Sequence, residues 1–163
     1  MLASGWRCRK DSARQPVAVI RLVQINQDAL AAEPVPDAPL SREVLAANAS
    51  MYRRSGFHPP WVAYLVVDKG RCVGTCAFKG APRENRVEIA YFTFPAYEGQ
   101  GLATQMAEAL VDIAHAQIPG ITVTAQTLPA ENASTRILDK LGFKRVGTAK
   151  DDEVGLVWEW HLA

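Results

Sequence analysis

The chain has 163 residues, 18 Lys and Arg against 17 Asp and Glu, a net charge of +1, and 48% hydrophobic residues. That balance excludes a disordered chain, and the lack of basic excess argues against a protein that holds nucleic acid through many phosphate contacts. No apolar run reaches the ~18 residues of a membrane span, so the expectation is a single cytoplasmic domain over 16–163 with no membrane partner.

Residues 1–15 carry Arg7, Arg9, Lys10 and Arg14 but no apolar core, which reads as a poorly ordered leader and not as a secretory signal. Val17 to Gln24 is rich in β-formers and is predicted as the first strand. Pro34, Pro36 and Pro39 then mark a loop. Ser41 is expected as an N-cap, with Val44, Leu45, Asn48, Met51 and Tyr52 following at helical spacing until Gly56. Trp61 to Val67 and Arg71 to Lys79 flank Asp68-Lys69-Gly70 and predict a hairpin. Val87 to Phe94 predicts a fourth strand, ended by Pro95.

From Leu102 the period changes. Leu102, Met106, Leu110 and Ile113 predict one face of a helix closed by Pro119-Gly120. Ile121 to Thr127 alternates as a strand, and Asn132 to Lys140 reads as a short helix with Leu138 inward and Gly142 at its C′ position. Phe143 to Thr148 and Val154 to Leu162 close the chain as two strands, and the Trp-rich last one is a candidate homodimer surface. The order β, α, β-β-β, α, β, α, β-β predicts an α+β domain with a mostly antiparallel sheet.

Cys8, Cys72 and Cys76 leave one cysteine unpaired in any scheme, which suits a reducing compartment. Cys72 and Cys76, four apart on a strand, should share a face as buried packing residues. No neighbouring histidine completes a metal set, so no metal is expected.

The most informative stretch is Gly99-Gln100-Gly101-Leu102-Ala103-Thr104, between a strand and a long helix. Its glycines let the backbone turn tightly, and the first amides of the helix have no internal partner, which suits a phosphate or pyrophosphate. The turn lacks the lysine of a P-loop, and the strand after the helix ends in Gln126-Thr127 without the acid of a dinucleotide fold.

Two blocks in order resemble the GNAT acetyltransferases. One is Glu98-Gly99-Gln100-Gly101-Leu102-Ala103, similar to the family's pyrophosphate loop at both small positions, with Glu98 where the family carries Arg or Gln. The other is Ala133 to Phe143, similar to the family's fourth helix and its Leu-Gly-Phe ending. Tyr91 to Pro95 and the late tryptophans resemble the branch that includes ribosomal-protein alanine N-acetyltransferases.

This resemblance implies a central sheet splayed between its fourth and fifth strands, with acetyl-CoA as cosubstrate and an amine as acceptor. The pantetheine arm would pair near Phe92, Thr93 and Phe94, and the diphosphate would meet Gly99, Gln100, Gly101, Leu102, Ala103 and Thr104. Ser134 could touch the cofactor or satisfy the first turn of its helix. Asn132 has the same two readings, as a CoA contact or as a helix N-cap. Glu88 falls where several members carry a glutamate base; alternation puts it with Ala90 and Phe92, and the competing role is a strand glutamate paired with Arg86 or Arg71. Leu138 occupies the family's tyrosine position, which leaves the general acid unassigned. Arg136, Lys140, Lys144 and Arg145 are candidates for the 3′-phosphate. The competing function is a catalytically silent acyl-CoA sensor.

Overall fold

A computed structural model describes residues 19–163. The leader expected over 1–15, Cys8 within it and the first two positions of the expected opening strand lie outside the described residues. The elements are β1 (Arg21–Gln24), α1 (Ser41–Ser55), β2 (Ala63–Asp68), β3 (Arg71–Phe78), β4 (Arg86–Thr93), α2 (Leu102–Gln117), β5 (Thr122–Thr127), α3 (Ala133–Lys140), β6 (Lys144–Asp151) and β7 (Gly155–Leu162), with a 3₁₀ turn at Pro95–Tyr97. This is the α+β order that the hydrophobic patterning predicts. Among the described residues, no helix is long and apolar enough to cross a membrane.

The strands form one sheet in the order β1-β2-β3-β4-β5-β7-β6. Neighbours are antiparallel except β4 and β5, which run parallel because helix α2 connects them. Every residue of β2 is buried, and β5 alternates, with Val123, Ala125 and Thr127 inward. Helix α2 buries Leu102, Met106, Leu110 and Ala114 at four-residue steps. Full burial of a side chain such as Leu110 contributes about 1.5–3 kcal/mol. Tyr52 ties α1 to the sheet, because its hydroxyl donates to the Ile25 carbonyl and accepts from the Ala63 amide.

Two local expectations change. Ser41 is not an N-cap; the helix begins at Ser41, and its hydroxyl turns back to donate to the Ala38 carbonyl. Cys72 and Cys76 do not share a face. Val67 stands opposite Cys72 while Val66 stands opposite Gly74, so β3 accommodates one extra residue and its alternation flips. Both thiols remain buried and free, one on each side of the sheet.

Candidate functional site

Pairing between β4 and β5 runs from Arg86 opposite Thr122 to Ile89 opposite Ala125 and stops there, although the strands continue to Thr93 and Thr127. The far half of β4 stays with β3 and parts from β5. Phe94 N–H donates to the Val73 carbonyl and Lys79 N–H to the Glu88 carbonyl, so the backbone groups of Glu88, Ala90, Phe92 and Phe94 face β3. Those of Tyr91 and Thr93 face the opening. Of the expected trio, Thr93 alone therefore offers its amide to a ligand in the slot. Phe92 is among the residues lining the slot, whereas Phe94 is buried in the core.

The glycine turn closes one end of this slot. Gly99 (φ 73°) and Gly101 (φ 76°) adopt the left-handed region that other residues disfavour, and a methyl on either would project into open space. Gly101 caps α2 with no side-chain hydrogen bond, and the first helical bond is Gln105 N–H to the Gly101 carbonyl. Among the described residues, the amides from Gly99 to Thr104 meet no protein acceptor. Six consecutive partnerless donors at the positive end of a 16-residue helix have the chemistry that suits an anion.

Between the turn, β4 and α3 lies a cavity of about 590 Å³. Phe92, Thr93, Gly99, Gly101, Leu102, Ala103, Thr104 and Ser134 line it, as do Tyr91, Tyr97, Glu98, Arg136, Ile137 and Lys140. Gln100 and Asn132 do not. The Asn132 side chain accepts the Thr135 amide while the Thr135 hydroxyl accepts the Asn132 amide, a reciprocal cap that occupies it as an N-cap. Among the described residues, two lining groups are orphans: Thr93 Oγ1 and Tyr91 Oη are buried without a hydrogen-bond partner. Burial pushes the Tyr91 phenol up to about 12, offset in part by the Ser134 hydroxyl beside it, although the two fall short of full hydrogen-bond geometry. Sequence reasoning quoted Tyr91 only within the Tyr91 to Pro95 resemblance and gave it no role of its own. The usable signal was a polar tip at the expected split.

Glu88 belongs to a second, smaller cavity of about 120 Å³, with Lys79, Ala90, Gln126 and Ser134 among its walls. Its partner is neither Arg86 nor Arg71. Lys79 Nζ lies 2.7 Å from Glu88 Oε1, a charge contact outside hydrogen-bond geometry, and 3.9 Å from Asp151 Oδ2 at the β6–β7 turn. The amides of Val154 and Glu153, and then Lys79, hold the Asp151 carboxyl below its usual range. Glu88, Thr124, His161 and Lys144 are successive cross-strand neighbours and share one face. His161 Nε2 sits 2.6 Å from Glu159 Oε1 on that face. Among the described residues, no group of three or more His, Cys, Asp or Glu could hold a metal ion.

A sheet split beside a parallel pair, with an uncapped helix N-terminus at the mouth of the split, defines a class of fold. Residues 16–144 match the acetyltransferase (GNAT) domain. The chain belongs to the GNAT acetyltransferase family. It is 34% identical over 74 residues to YjcK, a Bacillus subtilis protein assigned as an N-acetyltransferase, across 45% of this chain and 41% of that one. The chain spans about half the length of the curated relatives it matches. An acetyltransferase structure from Acinetobacter baylyi superposes with a TM-score of 0.61 at 21% identity, covering 88% of this chain and 92% of that one. A ribosomal L7/L12 α-N-protein acetyltransferase solved with coenzyme A superposes with a TM-score of 0.56 at 20% identity, covering 75% and 70%. These likenesses show the fold.

Proposed function

We propose that this chain is an acetyl-CoA-dependent N-acetyltransferase that modifies a primary amine, either a protein N-terminus or a small molecule. The observation that carries this reading is the row of partnerless amides from Gly99 to Thr104 at the mouth of the split between β4 and β5. Acetyl-CoA bound there would supply an activated acetyl group. Those amides would hold its diphosphate, with Gly99 and Gly101 allowing close approach and Leu102, Ala103 and Thr104 offering first-turn amides. Thr93 would pair its amide with the pantetheine arm, as a sheet edge pairs with an added strand, and its orphan hydroxyl suits one more polar contact. Phe92 and Ser134 would wall the arm. Arg136 and Lys140, which line the cavity, suit the negative charge of the 3′-phosphate.

Glu88 would accept the amine proton from the opposite side of the sheet. To do so it must exchange Lys79, whose long, half-exposed side chain can swing away. The acceptor must lose a proton before it can attack. At neutral pH that costs about 1–1.5 kcal/mol for an α-amine and roughly 4–5 kcal/mol for a lysine. The same carboxylate therefore serves an N-terminal or other weakly basic amine better.

Incubation with labelled acetyl-CoA and panels of peptide N-termini, polyamines and aminoglycosides tests the reading. Glu88→Gln is expected to lower kcat about 10²- to 10⁴-fold while calorimetric CoA affinity stays unchanged. CoA binding without transfer to any amine, in a chain indifferent to Glu88→Gln, would identify a silent acyl-CoA sensor instead.

A further inference from the structure

The cavity beside the glycine turn and the cavity that holds Glu88 have two lining residues in common, Tyr91 and Ser134. These two hydroxyl-bearing residues therefore stand where the two cavities adjoin. Among the described residues, Tyr91 Oη is buried with no hydrogen-bond partner. A buried hydroxyl left unpaired costs stability, so its presence in a cavity wall points to a ligand atom as the missing partner. The family's usual donor position holds Leu138, which is fully buried and has no polar atom. Glu88 and Tyr91 stand three apart on β4, so they leave the strand on opposite faces.

Resting on the acetyltransferase reading, we infer that Tyr91 is the hydrogen-bond donor to the thioester sulfur as it leaves. The amine nitrogen forms its bond to the carbonyl carbon, and its proton passes to the Glu88 carboxylate. The carbon–sulfur bond breaks with its electron pair on sulfur, so CoA departs as a thiolate against Tyr91 O–H. Tyr91 keeps its proton throughout. Its phenol lies at about 12, above a thiol near ~8.5, so it supports the thiolate by a hydrogen bond and does not transfer to it. No further reactant is needed. Glu88 on one face and Tyr91 on the other divide the two halves of the step between the acceptor side and the cofactor side.

Tyr91→Phe removes the hydroxyl and keeps the ring. With acetyl-CoA and an accepted amine, kcat should fall roughly 10- to 100-fold while KM for acetyl-CoA stays within about twofold. The melting temperature should hold or rise, because a partnerless buried hydroxyl has gone. A second readout needs only CoA: the ultraviolet absorbance of bound thiolate should be larger in the unaltered chain than in Tyr91→Phe. The charged groups lining the two cavities, Lys79 and Glu88 on one side and Glu98, Arg136 and Lys140 on the other, are the same in both. Unchanged kcat and unchanged thiolate absorbance would overturn the inference, and so would a loss of activity matched by a fall in melting temperature, which marks a packing role. A thiolate signal that depends on Tyr91 in a chain that acetylates no amine would uphold the donor and defeat the acetyltransferase reading. Failure to bind CoA would defeat both.

Discussion

A methyl group on Gly74 would lie 2.4 Å from the Phe92 carbonyl oxygen and 2.7 Å from Met106 Cε. Neither neighbour gives way freely: the carbonyl belongs to the β4 backbone, and Met106 is fully buried in α2. Gly74→Ala is therefore expected to destabilise the chain by about 1–3 kcal/mol, read as a lower urea midpoint, and to weaken CoA binding because β4 walls the slot. At this scale the sequence was partly legible. The two glycines of the turn were singled out from spacing, and Glu88 from the family resemblance, with alternation giving its face. Tyr91 was not, because no pattern tells a packed phenol from one whose hydroxyl lacks a partner. Lys79 was missed for the same reason, since its approach to Glu88 depends on how β3 and β4 register.

Among the elements, α3 separates a structural from a functional asparagine. Asn132 and Thr135 satisfy each other's amides, and Asn132 stays out of the cavity. Asn132→Ala should cost about 1 kcal/mol in chemical unfolding while CoA affinity measured by calorimetry remains the same; a drop in affinity at unchanged stability would reverse that assignment. Helix α2 contrasts with it. Gly101 gives its N-terminus no side-chain cap, which leaves the first-turn amides to whatever binds. Both helices were legible as helices from their apolar spacing, and Gly142 was legible as the C′ residue, with φ 89°. Ser41 was misread because its hydroxyl has two acceptable partners, a helix amide ahead or the Ala38 carbonyl behind. The preceding loop chose the second.

Over the whole molecule, the two buried thiols lie on opposite faces of the sheet, and burial raises both of their pKa values. A raised thiol favours the folded state fully below the unfolded value of ~8.5, and that contribution falls away as pH rises above it. For Cys76, the more deeply buried, the loss approaches about 1.4 kcal/mol per pH unit. Urea unfolding of the native chain and of Cys76→Ala should therefore converge as the buffer passes from neutral to alkaline, and parallel curves would contradict it. The apolar periods, the turn residues and the glycine-rich bend by themselves determined the number, type and order of the elements, because those signals act over a few neighbouring residues. They also led to the bend being read as a candidate anion site, since uncapped helix amides follow from local backbone alone. Only the tertiary structure decided where β4 leaves β5, which amides face the slot, which face each cysteine takes and which two hydroxyls stand between the cavities. Each of these depends on strand register and on contacts between residues far apart in the chain, which no local pattern encodes.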